Sequence, residues 1–413
     1  MTRFFLLLLA VASLALAESP IELQLPGEML LNGDAHDLAL GGSAEARWDL
    51  ASGLPSNPAL LASLDGVTYA SVLQFRIASR DTIGGTWKEG RQDFPAFQFT
   101  LALPKDWRLG IGYRSLFRTR ASYSLSGVVE DVPEGDWDGS YQTHLSQSGG
   151  QGSFPISLAW AWKNHLRLGA DLSLLRGNLL QEWEYDFPAE ASGIYDRKIR
   201  RSAEWSGTQW GAGLQARPAE GFSLSLHYRG ESNLQGEQSE EVSGEEEDTP
   251  TGLEGVFPAS WSAGLAWKLP GTQCLGSLRT NLVLSANWLQ QSWSQSSLPL
   301  TTGKLRDLSR LGLGLEWNFL LPRVGLREER NIPLRLGFRH ANLPTLDPLE
   351  GSYLEEILWS LGTGFKVQDG KGDCDLAFFL QEYQASGKRV EFRWGMALSL
   401  RSTEKWKRRT HHF

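Results

Sequence analysis

The chain has 413 residues, 17 of them Trp and 44 Gly, and a formal net charge of −8. An acidic balance argues against a nucleic-acid partner, which would need a basic face. After the amino terminus, no window reaches about eighteen uncharged apolar residues, so membrane-crossing helices are excluded and only a closed β-barrel could span a bilayer.

The amino terminus has the pattern of a secretory signal peptide. Arg3 precedes an apolar run over residues 4–16, and residues 15–17 form a small-x-small cleavage signature. The apolar run is too short for a permanent membrane helix. We therefore expect residues 1–17 to be removed and the exported chain to begin near Glu18.

Residues 18–65 do not alternate as a strand does. Gly41 and Gly42 lie in a small-residue stretch, and Asn57-Pro58-Ala59 begins a short helical segment that ends before Gly66. Asn at the cap, Pro at the first helical position and Gly beyond the end are each preferred at helix termini. This folded segment needs a place to pack, and a barrel lumen lined by small side chains would provide one.

The stretch Leu40–Asp49, rich in glycine and alanine, and the stretch Leu54–Ala62, which contains Asn-Pro-Ala, resemble the amino-terminal signature of the FadL family of outer-membrane transporters for hydrophobic compounds. The resemblance implies a fourteen-stranded barrel whose amino-terminal segment folds back as a hatch in the lumen. It also implies that a hydrophobic substrate diffuses past the hatch, with these gate residues: Gly41, Gly42, Asn57, Pro58 and Ala59. Barrels resembling the secretion-associated PorV carry the same signature, so the resemblance leaves the cargo open.

Period-two alternation predicts about fourteen strands between residues 66 and 402. In residues 154–162, large apolar or aromatic side chains occupy one face and small ones the other, and residues 222–229 and 392–401 repeat this division. Lipid outside and a polar lumen inside require such strands. We therefore predict an all-β fold, a transmembrane antiparallel β-barrel of about 14 strands with a short helical hatch in its lumen. A basic tail, residues 403–413, follows the barrel.

The predicted connections alternate between short and long. Tight turns include residues 104–106 and 163–165. The long polar stretches are residues 80–92, 126–152, 188–197 and 241–255. An outer-membrane barrel has short periplasmic turns and long outer loops, so this rhythm favours a barrel over a sandwich. The rhythm weakens near residues 320–330 and 386–388.

Arginines recur on the predicted inner face of two strands. Arg114 and Arg118 lie in the third strand, and Arg335 and Arg339 in the eleventh. An amphiphile needs a cation for its head group and an apolar wall for its tail, so these four are candidates for a substrate-binding lumen. The alternative is that they pair with carboxylates of the lumen or the hatch.

The sequence gives little support to an enzymatic function. It has no nucleophile motif such as G-x-S-x-G and no Cys, His and carboxylate cluster with metal spacing, so we predict no catalysis, cofactor or metal site. The acidic residues 240–248 are either a solvated loop or a place for divalent cations that bridge lipopolysaccharide. Cys274 and Cys374 fall on predicted turns too far apart for an easy disulfide.

These observations predict an outer-membrane channel for hydrophobic or amphipathic, fatty-acid-like molecules, with passive diffusion gated by the hatch. Its expected partners are outer-membrane lipid, lipopolysaccharide and the small-molecule substrate. The alternative is a structural or secretion-associated barrel, PorV-like, that docks a secreted or periplasmic protein.

Overall fold

The computed structural model describes the following residues: 21, 28–30, 33–49, 53–82, 85–128, 140–188, 196–243, 249–269, 271–274, 278–298, 304–321, 330–347, 350–367 and 372–404. The expected signal peptide, acidic residues 245–248 and tail residues 405–413 lie outside them. None of the helices described in the structure is both long and apolar enough to cross a membrane.

Fourteen antiparallel strands form one closed barrel, as predicted. The strands are β1 Val67–Thr82, β2 Gly85–Ala102, β3 Trp107–Val128, β4 Ser140–Trp162, β5 Leu166–Asp186, β6 Arg197–Ala219, β7 Phe222–Arg229 with Ser232–Val242, β8 Thr251–Phe257 with Ser260–Lys268 and Thr272–Cys274, β9 Leu278–Gln291, β10 Leu308–Leu321, β11 Arg330–Leu346, β12 Tyr353–Val367, β13 Gly372–Ala385 and β14 Lys388–Glu404. Strand β14 pairs with β1, which closes the ring.

The wall has an apolar outer face and a small or polar inner face. On β4 the exposed Phe154, Ile156 and Leu158 alternate with the buried Ser157 and Ala159. Large exposed side chains continue this surface around the barrel, among them Trp210, Leu226, Leu336 and Trp359. A continuous apolar surface that the described residues leave uncovered is suited to lipid.

Three of the predicted long connections are partly wrong. Residues 85–92 belong to β2, residues 140–152 to β4 and residues 251–255 to β8. Strands β3 to β6 are long, with 22, 23, 21 and 23 residues. A strand that extends beyond the lipid carries polar side chains on both faces, which removes the alternation by which strands are recognised.

Strands β2 and β3 separate part-way along the wall. They pair only from Ala96 opposite Arg114 to Ala102 opposite Arg108. Beyond that point the free edge of β3 pairs with the two-residue strand Glu28–Met29 of the amino-terminal segment. The segment thus fills part of a gap in the wall.

A bulge in β3 changes which side chains face the lumen. The pairing of β3 with β4 shifts between Ser115 and Phe117, and Arg114 and Phe117 are both buried on either side of the shift. One extra residue inverts the alternation. Arg118 therefore lies on the outer side, with its side chain 36% exposed, and the prediction that it faces the lumen is wrong.

The amino-terminal segment packs inside the barrel, as predicted. Its helices are α1, Ala35–Ala39, and two 3-10 helices, Ala44–Ala46 and Pro58–Ser63. Helix α1 contacts β11 to β14, Ala44–Ala46 contacts β7 to β9, and Pro58–Ser63 contacts β3 to β6. Because these are three different arcs of the wall, the segment crosses the lumen as a hatch.

Candidate functional site

Asn57 joins the last hatch helix to the wall. Its Oδ1 accepts a hydrogen bond from the Ala59 N–H at 3.0 Å, and its Nδ2 donates to the carbonyls of Leu214 and Leu226 at 3.4 and 3.3 Å. Gly213 makes room for it, because a Cβ there would lie 1.9 Å from Asn57 Oδ1. One side chain thus caps the helix and holds it to β6 and β7.

Gly41 and Gly42 form the turn after α1. Their φ angles are +66° and +81°, in the left-handed region that favours glycine. A Cβ on Gly41 would lie 2.4 Å from the carbonyl oxygen of Phe338, and a Cβ on Gly337 would lie 2.2 Å from the Gly41 nitrogen. Here the hatch backbone rests directly on the backbone of β11.

Five buried or half-buried side chains, which we call the mouth cluster, tie the hatch to β10, β11 and β13: His36, Arg47, Glu316, Arg335 and Asp375. Glu316 lies 2.8 Å from Arg47, 3.1 Å from His36 and 2.8 Å from Arg335. Arg335 also lies 2.7 Å from Asp375. Burial alone would lower the pKa of Arg47, but nearby carboxylates, Glu316 foremost, raise it above its ordinary value.

Three of the four arginines expected to bind substrate are paired with carboxylates. Arg335 belongs to the mouth cluster, Arg339 lies 2.6 Å from Glu356, and Arg118 pairs with Asp93. The alternative drawn from the sequence, that lumenal arginines pair with acids, describes the contacts of Arg335 and Arg339. Only Arg114 differs.

A cavity of about 110 Å³, the central cavity, lies in the lumen above the hatch, on the side away from the mouth cluster. Its cationic lining includes Arg114, Arg229, Arg310 and Arg339, beside His227. Its apolar lining includes Met29, Leu116, Phe117, Phe257, Leu289, Leu308 and Leu343. The site therefore offers both positive charge and an apolar wall.

Two other cavities flank the hatch. The mouth cavity, about 330 Å³, is lined by the mouth cluster and by wall residues at the end of the barrel where β1 begins. The gap cavity, about 510 Å³, opens where β2 and β3 separate and is lined by Phe94, Pro95 and Tyr113 among others. Among the described residues, no group of three or more His, Cys, Asp or Glu side chains could hold a metal ion.

Sequence reasoning did not select Arg229, Arg310 or His227 for this site. The signal was present, because Arg229 and His227 lie on the small or charged face of residues 222–229, and Arg310 alternates with large apolar residues. The sequence does not show which inner cations lack a carboxylate, because the partners come from distant segments.

No protein-family profile and no curated protein matches the sequence. Solved structures do match. A FadL homologue of Pseudomonas aeruginosa has a TM-score of 0.61 at 13% identity, over 91% of this chain and 99% of that one. The toluene transporter TbuX of Ralstonia pickettii has 0.54 at 14%, over 90% and 98%. The toluene transporter TodX of Pseudomonas putida has 0.52 at 16%, over 92% and 100%. These likenesses extend over nearly the whole chain, which has the fold of the FadL-type barrels.

Proposed function

We propose that this protein is an outer-membrane channel through which hydrophobic or amphipathic small molecules diffuse, with the hatch, residues 18–65, as its gate. The observation that carries the proposal is that the hatch lies between the central cavity and the mouth cavity. Its backbone rests on β11 at Gly41, and Arg47 pairs with Glu316. Displacement of the hatch would join the cavities, and diffusion down a gradient needs no energy source.

The outer surface and the gap support this function. The uncovered apolar surface suits a lipid bilayer, and two of the similar solved structures are toluene transporters. The central cavity and the gap cavity share Leu30 and Phe117 as lining residues. Because the two cavities adjoin at these side chains, their displacement would let a hydrophobic compound pass between the lumen and the lipid without crossing the polar ends of the barrel.

A reversible cross-link tests the gate. Ser43 in the hatch and Ser285 on β9 have their Oγ atoms 2.7 Å apart, so Ser43→Cys with Ser285→Cys should form a disulfide. The background carries Ser in place of Cys274 and of Cys374, which is a free thiol. We expect oxidised cells to lose uptake of labelled toluene, benzoate and octanoate, and a reductant to restore it.

A second pair controls for the chemistry. Ser202 and Ser239, 2.8 Å apart, lie on the paired strands β6 and β7, so a disulfide there should leave uptake unchanged. Uptake that persists through the oxidised hatch would refute gating. No uptake with the unmodified protein, together with co-purification of a stoichiometric partner protein, would favour the scaffold alternative.

A further inference from the structure

Three guanidinium groups at the central cavity have no carboxylate partner among the described residues. Arg114 donates to the Pro55 carbonyl and to Gln98, and Arg229 donates to the Ser56 carbonyl at 3.1 Å. The Arg229 Nε is buried without a partner, and Arg310 has no hydrogen bond or ion pair in the part of the chain that the structure describes. Like charges held together away from water are unfavourable unless an anion joins them.

The acidic side chains of the same cavity are engaged elsewhere. Glu356 pairs with Arg339 at 2.6 Å. Glu45 accepts a hydrogen bond from Ser262 at 2.7 Å, and Asp37 accepts one from the Ala44 N–H at 2.9 Å. Glu356 thus pairs within the wall, Glu45 joins the hatch to the wall, and Asp37 acts within the hatch. None of these contacts uses the three guanidinium groups, which remain available to a ligand.

The cavity also has an aromatic wall. Phe117 and Phe257 line it, and both pack edge to face with the fully buried Trp293, with ring centroids 5.5 and 5.6 Å apart. Such packing favours a further ring, which can present its edge or its face to these neighbours. The free volume of about 110 Å³ approaches the ~150 Å³ that holds a benzene ring in another protein. A long alkyl chain needs several times more.

We propose that the central cavity binds a compact aromatic anion, such as an aromatic carboxylate. Its ring packs against Phe117 and Phe257, and its carboxylate accepts hydrogen bonds from the guanidinium groups of Arg229 and Arg310. This inference rests on the proposed function and names the class of compound that the channel prefers, in place of a neutral hydrocarbon or a long fatty acid.

Calorimetric titration of the purified full chain in detergent tests the proposal, with benzoate, toluene and octanoate as ligands. We expect benzoate to bind most tightly.

Arg310→Gln should weaken the binding of benzoate about tenfold, because a charge-assisted hydrogen bond is lost. It should change the binding of toluene less than about twofold. Arg389→Gln, at an exposed arginine near the start of β14, is the matched control. Phe257→Leu should weaken benzoate but not octanoate. Heat-modifiable migration shows that each variant is folded.

Each contrary result overturns a stated part. Toluene binding at least as tight as benzoate binding, or equally reduced in Arg310→Gln, overturns the anionic group. Octanoate binding that is at least as tight as benzoate binding contradicts the preference for a compact aromatic ring. If toluene or octanoate enters cells through the channel without the disulfide cross-link, while benzoate does not bind, the inference fails and the proposed function stands. If none binds and none enters, both fail.

Discussion

At the residue scale, the ionic contacts of the mouth cluster converge on Glu316, whose side chain is 5% exposed. It accepts from Arg47 of the hatch and from Arg335 of the wall, at 2.8 Å in both cases. One carboxylate therefore joins the hatch to the barrel wall. In the function we propose, these paired cations would hold the hatch closed without touching the substrate.

Glu316→Gln should loosen the hatch. The change removes the anion that two buried guanidinium groups share. Because Arg47 keeps Asp49 and Arg335 keeps Asp375, we expect a cost below the ~3 to 5 kcal/mol of a fully broken buried pair. We expect trypsin to cleave after Arg47 much faster in the variant than in the unmodified protein, both in detergent. Glu220→Gln, at an exposed turn residue, is the control. Equal cleavage rates in Glu316→Gln and in the unmodified protein would show that the ion pairs of Glu316 do not hold the hatch in place.

Asp37 in α1 should make the docking of the hatch depend on pH. Burial, with Asp34 and Glu45 nearby, raises the pKa of Asp37 from 3.8 to about 6, against the opposing effect of the Ala44 N–H. Because the folded pKa lies above the unfolded one, the stabilisation is complete below about pH 4 and is lost as the pH rises through 6. The difference corresponds to ~3 kcal/mol.

Asp37→Asn isolates this effect, because an Asn Oδ1 can still accept from Ala44. Hydrogen exchange of residues 33–49, corrected for intrinsic rates, should show the hatch of the unmodified protein loosening between pH 4.5 and 7.5. In Asp37→Asn, the part of this pH-dependent loosening that comes from ionisation of Asp37 should be absent. Parallel pH profiles of the two proteins would contradict the assignment.

At the scale of elements, alternation predicted the strand faces wherever a strand crosses the apolar layer. The alternation failed where the outer side chains no longer face lipid, as in residues 85–92 and 140–152. It also failed after the bulge between Ser115 and Phe117, which moves Arg118 to the opposite face of the strand. Cap residues located the last hatch helix. The pairing of Arg47 with Glu316 joins positions 269 residues apart, so no local pattern could reveal it.

Gly213 on β6 should be required for the hatch and not for the wall. A Cβ there would lie 1.9 Å from Asn57 Oδ1, so Gly213→Ala must displace the cap, at a cost of about 1 to 3 kcal/mol. Faster hydrogen exchange of residues 57–64 is the expected sign. Gly252→Ala, where nothing lies within 4 Å of the added Cβ, is the matched control. Unchanged exchange in Gly213→Ala would place the anchor elsewhere.

At the scale of the whole molecule, the barrel closes without the hatch. Strand β14 pairs with β1 over residues 392–404, and the described part of the amino-terminal segment contributes only Glu28–Met29 to the sheet. We therefore expect the ring to form without the hatch. The sequence indicates the ring through its many alternating strands, whereas the position of the hatch depends on side chains that lie far apart in the sequence, such as Arg47 and Glu316.

Deletion of residues 20–62 should therefore leave a folded but leaky barrel. Among the wall charges left behind, Arg335 keeps both Glu316 and Asp375, and Arg393 keeps Glu391, so few uncompensated charges appear in the lumen. Heat-modifiable migration should persist, and cells should become permeable to small polar antibiotics. Cells that carry the full chain are the control. Loss of heat-modifiable migration would mean that the segment is needed to form the wall, because the freed edge of β3 beside the gap cannot remain unpaired without Glu28–Met29.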